Sequence, residues 1–406
     1  MRRRSIVTLG LLFAVVLGCR KTAEPAHVAR WRDDLAFLER ELPARHLNLY
    51  ARMPEADWHA GFAALRAELP RLTDAQILVR AMALVVAVGD GHTRLAEPPG
   101  GEFPLRLVWF DDGLFVIAGP AAAAWAVGGE VTAVGARSVE DALALASTVA
   151  PHDNGSQLKA EAVAAMLRPR TAEGLGLVGA DRALRLAVAV GAAAPRELVV
   201  TPMDGRPVGR PRGGAAPPLA QRAAGRAYWS EYLADRRALF VQYNQCKDAT
   251  PSFADFTAQL AQVLAAQPVD RLIIDLRWNG GGNSEVARPL LALVSSTPGL
   301  AARTFVLIGR QTFSSAVLNA VAFADAGATL VGETAGGAPS HYGEVQTGIL
   351  PRTGFPFTYS TKYFPHPRFS GRELVPTLVV PFTAADYLAD RDAALDAALA
   401  APLPAP

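Results

Sequence analysis

The feature that most constrains the fold is an alternation of strand-length apolar runs and helical patterns in the C-terminal half of the chain. The predicted strands and helices alternate at residues 238–243, 253–265, 272–276, from about 284, 305–309, 316–326 and 329–331. Such alternation is typical of βαβ units, in which helices cover both faces of a largely parallel sheet. The sequence therefore predicts an α/β core, which we place at residues 228–406.

A helical region is predicted near the N-terminus, in residues 19–98. One face of its first helix is marked by apolar residues at helical spacing, namely Trp31, Leu35, Leu38 and Leu42. A second helix is predicted at about residues 55–69. A third is predicted to begin after Thr73, which suits an N-cap, and to end near Val88.

Residues 99–203 are predicted to form a mixed α+β domain. Apolar runs flank an Asp-Gly pair at residues 112–113, which indicates a β-hairpin. The strand at residues 128–135 and the helix predicted from Ser138 resemble the ligand-groove half of a PDZ domain, so the region is predicted to be PDZ-like. Residues 204–227, which begin with a stretch rich in glycine and proline, are predicted to be a linker or loop.

The first 18 residues have the pattern of a targeting segment. Three arginines precede an apolar run at residues 6–18 that is too short to span a bilayer. The run closes on Val-Leu-Gly-Cys, which resembles the lipobox of bacterial lipoproteins. That resemblance implies cleavage before Cys19, a lipid on Cys19 and a place in the bacterial cell envelope. The absence of aspartate after Cys19 favours the outer membrane in that family, while an ordinary secretory signal with an incidental cysteine is the alternative.

Charge and cysteine content narrow the classes of function. The chain has 40 basic and 38 acidic residues, a net charge of +2, which argues against a nucleic-acid-binding protein. Once Cys19 carries a lipid, only Cys246 remains, so the sequence predicts neither an intramolecular disulfide nor a cysteine-rich metal site.

Ser314 is the first candidate for chemistry. It lies between the predicted strand at residues 305–309 and a helix, so it is expected at the positive end of that helix, where backbone N–H groups lack partners. Such a place suits an alkoxide nucleophile and the oxyanion that it creates. The alternative is that Ser314 is an ordinary N-cap, since serine is among the commonest capping residues.

A glycine turn is the second candidate. The strand that ends at Asp275 and Leu276 runs into three consecutive glycines at residues 280–282. Backbone N–H groups in such a turn can form an oxyanion hole or hold a phosphate. The phosphate interpretation is disfavoured, because Glu285 stands where a dinucleotide fingerprint needs glycine and no Gly-Lys-Ser/Thr sequence occurs.

His92 is the third candidate, on the turn Gly-Asp-Gly-His-Thr at residues 89–93. A loop histidine is often only solvated, but this one follows a helix and is free to present its ring. A serine, a histidine and a pair of backbone donors are the groups that acyl transfer requires.

Together these motifs resemble the family of C-terminal-processing (tail-specific) proteases and the tricorn core, over residues from about 30 to 400. Residues 275–282 match the family's strand and glycine turn, residues 312–316 its nucleophile segment, and residues 332–337 the strand after the nucleophile's helix. The resemblance implies a crotonase-like βαβ core behind a helical N-terminus and a PDZ-like domain. It also implies that Ser314 is the nucleophile and that Gly281 and Ser315 supply the oxyanion hole.

The base distinguishes two branches of that family. The processing branch uses a lysine in a Thr-Phe-Gly-Lys-Gly sequence, whereas residues 334–338 of this chain read Thr-Ala-Gly-Gly-Ala. The tricorn-like branch uses a histidine, and His92 fits that role. That branch also uses a C-terminal glutamate, which we match to Glu373, with a surface carboxylate as the alternative. The chain departs from the family at Val317, where many members have glutamate, and at Thr377, where aspartate is usual.

The sequence thus predicts a lipid-anchored envelope serine peptidase that hydrolyses peptides or unfolded proteins through an acyl-enzyme. No metal or cofactor is predicted. As in the family, the PDZ-like region is expected to hold the C-terminus of a substrate by adding it to a sheet edge. Two alternatives stay open, namely a catalytically weak peptide- or ligand-binding lipoprotein and a crotonase-type acyl-CoA enzyme.

Overall fold

The computed structural model describes residues 25–98, 100–202, 208–209, 217–368 and 371–403. The predicted signal peptide and Cys19 lie outside these residues, as do residues 204–207 and 210–216 of the predicted linker. Within the described ranges, no helix combines the length and the apolar character needed to cross a bilayer.

The described residues form eleven α-helices and sixteen strands. The helices are α1 Ala26–Arg45, α2 Glu55–Glu68, α3 Asp74–Val86, α4 Val139–Ser147, α5 Gly155–Met166, α6 Pro169–Gly174, α7 Phe253–Ala266, α8 Arg288–Ser296, α9 Ser315–Asp325, α10 Ala384–Leu388 and α11 Ala393–Ala400. The strands are β1 Arg94–Leu95, β2 Arg106–Phe110, β3 Gly113–Gly119, β4 Glu130–Val134, β5 Arg137–Ser138, β6 Leu184–Ala189, β7 Arg196–Val200, β8 Val208–Gly209, β9 Tyr228–Leu233, β10 Ala238–Tyr243, β11 Arg271–Asp275, β12 Thr304–Ile308, β13 Thr329–Gly332, β14 His341–Ile349, β15 Pro356–Phe364 and β16 Leu378–Val379.

The C-terminal sheet has the order β16-β13-β12-β11-β10-β9. Strands β10 to β13 and β16 pair in parallel, and β9 is antiparallel at one edge. All five residues of β12 are buried, as expected for a strand with helices on both faces. The predicted α/β architecture is therefore confirmed, and β12 leads directly towards the candidate nucleophile at the start of α9.

The three N-terminal helices form close to the predicted residues, but the partner on which they pack was not predicted. The apolar stripe of α1 is buried, and Thr73 accepts the Gln76 N–H in a capping box at the start of α3. Their partner is the long hairpin β14–β15, which pairs with β1. Trp31 of α1 stacks on Phe355 of this hairpin with 5.6 Å between ring centroids. The C-terminal region thus supplies part of the core under the N-terminal helices.

The middle region contains an antiparallel sheet in the order β2-β3-β4-β6-β7. The predicted hairpin corresponds to β2 and β3, and the helix predicted from Ser138 is α4, whose first turn Ser138 caps. Two helices between α4 and β6 were not predicted. Of these, α5 packs beside the edge strand β2, and α6 packs on α3. The middle region therefore contacts the helical region directly, and its PDZ-like character stays a prediction.

Candidate active site

Ser314 has an unusual backbone conformation. Its φ of 54° and ψ of −128° lie outside the regions that residues with a side chain readily adopt. Its hydroxyl makes no capping hydrogen bond to α9, so the N-cap alternative does not account for it. Such strain persists only where the surroundings enforce it and is concentrated at functional sites. A serine on a strained strand-to-helix turn is also the arrangement that exposes the nucleophile of many hydrolases.

The turn before Ser314 is locked to the end of β11. Thr312 donates its hydroxyl to the Leu276 carbonyl at 2.9 Å and accepts the Gly309 N–H at 3.0 Å. Phe313 donates its N–H to the Asn279 carbonyl at 3.0 Å. These bonds join the nucleophile segment to the glycine turn, as expected for neighbouring parallel strands whose C-terminal ends meet at one edge of the sheet.

The glycine turn lies directly against Ser314. A Cβ at Gly281, whose φ is +104°, would come 2.7 Å from the Ser314 Cβ and 3.1 Å from the Ser315 nitrogen. Ser315 donates its hydroxyl to the Gly282 carbonyl at 2.7 Å. Its N–H belongs to the first turn of α9, where backbone donors have no acceptor within the helix. The structure therefore brings Gly281, Ser314 and Ser315 together.

The amide of Gly281 is not free in this conformation. It donates to the Asn279 side-chain oxygen at 2.9 Å, and Asn279, fully buried, donates its side-chain amide to the Tyr243 carbonyl at 2.9 Å. Gly281 can serve as an oxyanion donor, the predicted role, only if the bond to Asn279 is exchanged. The sequence signal for this was Asn279 itself, placed two residues before the glycine.

An ion cluster holds the strand end behind the glycine turn. Arg277 donates to Asp275 at 2.7 Å and to Asp392, the N-cap of α11, at 2.6 Å. Burial alone would lower the pKa of Arg277, but the charges of Asp275 and Asp392 raise it well above its ordinary value. These ion pairs thus fix the end of β11 to the start of α11, and the part that Asp392 plays in them was not predicted.

His92 lies beside the nucleophile segment. Its buried ring stacks on Phe313, the residue before Ser314, with 4.2 Å between centroids and 26° between planes. Its Nδ1 is 3.7 Å from Asp90 Oδ1. In the part of the chain that the structure describes, neither ring nitrogen has a hydrogen-bond partner, so no bond to Ser314 is formed. Catalytic hydrogen bonds are often long in structures without a substrate.

Asp90 is the carboxylate that faces His92. It accepts the His92 backbone N–H at 2.9 Å, the Ser360 hydroxyl at 2.7 Å and His46 Nε2 at 3.1 Å. Burial would raise the pKa of Asp90, but hydrogen bonds from His46 and Thr93, together with the nearby His92 ring, outweigh it and lower the pKa well below its usual range. Asp90 is therefore a fixed negative charge next to the candidate base.

Glu373 does not occupy that place. It is exposed, and no residue of the described ranges forms a hydrogen bond or ion pair with it. The next residue, Leu374, is buried in the core and accepts the Ala335 N–H at 3.1 Å, so the extended chain turns Glu373 towards solvent. The carboxylate that faces His92 is thus Asp90, in the same Gly-Asp-Gly-His motif, and the predicted catalytic role of Glu373 stays a prediction.

A second histidine, which no sequence motif singled out, lies against His92. The His341 ring stacks on the His92 ring with 5.5 Å between centroids and 16° between planes. Its Nδ1–H donates to the Ala338 carbonyl at 2.7 Å. Burial, followed by the nearby His92, lowers the pKa of His341. His341 contacts His92 only because β14 folds back over the N-terminal region.

A pocket of about 180 Å³ lies next to the nucleophile turn. It is bounded by β2, by α5 and by residues 309–311, and Trp109 and Trp278 contribute apolar walls. The Trp278 indole N–H is buried and finds no acceptor among the described residues. Within those same residues, no group of three or more histidine, cysteine, aspartate or glutamate side chains is arranged to hold a metal ion.

Comparison with known proteins identifies the fold. No protein-family model and no curated protein matches this sequence. Among solved structures, mature CPAF in complex with lactacystin is similar with a TM-score of 0.65 at 15% identity, over 90% of this chain and 96% of that one. The chain has the CPAF fold. Mature CPAF alone is similar with a TM-score of 0.64 at 15% identity, over 89% of this chain and 94% of that one.

A weaker similarity is to the photosystem II D1 C-terminal processing protease, with a TM-score of 0.43 at 14% identity, over 88% of this chain and 94% of that one. At these identities the CPAF likeness establishes the fold over nearly the whole chain. The chemistry depends on the side chains of the site.

Proposed function

We propose that this protein is a serine peptidase that hydrolyses peptides or unfolded proteins through an acyl-enzyme on Ser314. The observation that carries the proposal is the strained Ser314, uncapped at the start of α9, with the Gly281 turn on one side and the Phe313–His92 stack beside it. A structural serine would need neither the strain nor the neighbouring imidazole.

The proposed reaction assigns one role to each group. His92 takes the hydroxyl proton as Ser314 Oγ attacks the scissile carbonyl, and the Ser315 N–H faces the oxyanion that forms. His92 then gives the proton to the leaving amine, and water releases the acyl group by the same steps in reverse. Asp90 stabilises the imidazolium that exists between these proton transfers.

The shape of the site supports a peptide as substrate. Strand β2 is an edge of the middle sheet, and the pocket that it forms with α5 and residues 309–311 lies beside the nucleophile turn. An extended peptide can add to such an edge, and its side chains can enter the pocket. The unpartnered Trp278 indole N–H would donate to a carbonyl of the bound chain.

A fluorophosphonate probe tests the proposal, because it reacts with activated serine hydroxyls. We expect the wild-type chain to become labelled, and mass spectrometry of the labelled peptide to place the adduct on Ser314. Denatured protein serves as the control and should stay unlabelled. An adduct on another residue, or no adduct on the folded chain, would contradict the proposed nucleophile.

A second candidate function is ligand binding without turnover. It is favoured by one observation. The His92 ring is buried, and neither of its nitrogens forms a hydrogen bond to Ser314 or to any other described residue. An unlabelled wild-type chain that still binds peptides would support this function over the peptidase.

We also propose that the chain is anchored in the bacterial cell envelope, at the outer membrane, by lipid on Cys19. The support is the sequence at residues 16–19, which resembles a lipobox. In cells that express the full chain, an alkyne-tagged fatty acid should label the protein, and Cys19→Ser should abolish the label. Cys246→Ser is the matched control and should keep it, since Cys246 is the only other cysteine. A label that survives Cys19→Ser would refute the anchor.

A further inference from the structure

The loop that joins α4 to α5 bonds to both halves of the candidate site, although it belongs to neither. Asp153 in this loop is 4% exposed. One of its oxygens accepts the Gly91 N–H at 3.0 Å, and the other accepts the Ala338 N–H at 3.2 Å. A single buried carboxylate therefore connects the histidine turn to the segment that follows the nucleophile's helix.

The residues after Asp153 strengthen the same connection. Asn154 donates its side-chain amide to the Ala335 carbonyl at 2.9 Å and to the Arg372 carbonyl at 3.0 Å. Ser156 donates its hydroxyl to the Thr334 carbonyl at 2.6 Å. Because Thr334 and Ala335 lie just before Ala338, the loop and the start of α5 are bonded to that segment at successive points.

Both bonds of Asp153 lead to the His92 ring. Gly91 directly precedes His92 in the chain. The Ala338 carbonyl accepts the His341 Nδ1–H at 2.7 Å, and the His341 ring stacks on His92. Asp153 thus holds the backbone that carries the base and also the residue that fixes the ring lying against it.

The space around Gly91 shows how closely Asp153 and Gln157 pack on the histidine turn. A Cβ at Gly91 would lie 2.7 Å from Gln157 Oε1 and 3.0 Å from Asp153 Oδ1. Gln157 Oε1 in turn accepts the Asp153 N–H at 2.7 Å, which fixes the carboxylate. Only a residue without a side chain leaves room for the loop at this point.

We propose that Asp153 is a positioning residue, which keeps the His92 ring within reach of Ser314 by accepting the Gly91 and Ala338 amides at once. The proposal rests on the proposed serine peptidase function. Asp153 touches neither substrate nor the reacting atoms, and it acts through Gly91 and through His341.

A carboxylate suits this task because both of its oxygens only accept hydrogen bonds. In Asp153→Asn, one oxygen becomes an NH₂ group, which would face an N–H donor, so either Gly91 or Ala338 loses its acceptor. The loss of a buried hydrogen bond destabilises any protein, and a matched control is therefore needed.

Asp34 provides that control. It is fully buried and accepts two backbone N–H groups from a distant segment, those of Arg352 and Thr353, both at 2.8 Å. The substitution Asp34→Asn makes the same chemical change on α1, where it removes an acceptor from the turn between β14 and β15, away from Ser314 and His92. Each variant is compared with wild type by melting temperature and by fluorophosphonate labelling of the folded protein.

We expect both variants to melt at a lower temperature, and only Asp153→Asn to label slowly. Its first-order rate constant at saturating probe should fall at least about tenfold, since small displacements of a catalytic group have large effects on rate. The half-saturating probe concentration should stay unchanged. A merely structural role would change the melting temperature and leave this rate constant as it is in wild type.

Equal rate constants in Asp153→Asn and Asp34→Asn would overturn the proposal, whether both are unchanged or both are reduced. An unlabelled wild-type chain would instead overturn the proposed function. If Asp153→Asn does not fold, His341→Asn tests the path from Asp153 through Ala338 and His341 to His92. The asparagine amide can still donate to the Ala338 carbonyl, but it has no ring to stack on His92. A wild-type rate constant in that folded variant would also contradict the proposal.

Discussion

Replacing Ser314 with alanine is expected to lower the rate of peptide hydrolysis by at least about 10⁴-fold, the scale of losses on removal of a serine nucleophile. Alanine offers no oxygen to attack the carbonyl, so no acyl-enzyme can form. The fold should be retained, because alanine has the same Cβ at the same strained φ of 54° and the serine hydroxyl makes no capping bond. The measurement is kcat/KM for a cleavable peptide, together with the melting temperature.

Ser315→Ala is the matched control for that substitution. It removes the hydroxyl that bonds the Gly282 carbonyl but keeps the N–H that faces the oxyanion. We expect a fall of no more than about tenfold, the scale of one ordinary hydrogen bond. If Ser315→Ala lost activity and Ser314→Ala kept it, the nucleophile would have been assigned to the wrong serine.

Replacing His92 with asparagine is expected to lower kcat/KM by about 10³- to 10⁴-fold, which is within the range for general acid–base catalysis and its orientation. Asparagine cannot take the hydroxyl proton. The measurement is kcat/KM for a cleavable peptide in both proteins, together with the melting temperature.

The control for this prediction is His59→Asn, in an exposed histidine that pairs with Glu39 on the N-terminal helices. It should leave kcat/KM unchanged. His341 is the alternative candidate for the base, because its ring stacks on the His92 ring. A fully active His92→Asn variant beside an inactive His341→Asn variant would show that the base is His341.

The central sheet and its helices were predictable because their signals are local. Strand β10 spans the predicted residues, and β11 and β12 begin one residue early and end one residue early. Their runs of Val, Ile and Leu are buried on both faces, so each run marks its strand without help from the rest of the chain. The order of the three motifs along the chain was predictable for the same reason.

The hairpin β14–β15 was not predicted, because its pattern is mixed. In β14, buried residues at one end give way to exposed residues at the other, so no regular alternation marks the strand. This hairpin nevertheless completes the core under α1 and carries His341 to His92. Its pairing partner β1 is only two residues long and lies far away in the chain.

The candidate site residues divide in the same way, into those that a local pattern predicts and those that it does not. The sequence by itself determined that Ser314 would lie between an apolar strand and a helix, that a glycine turn would follow Leu276 and that His92 would lie on a turn, because side-chain size and backbone freedom act over a few residues. Only the tertiary structure decided that His341 stacks on His92 and that Asp153 joins the histidine turn to the segment at Ala338. Those contacts link residues far apart in the chain, and no local pattern encodes which carboxylate or which ring the packing of the sheets will bury there.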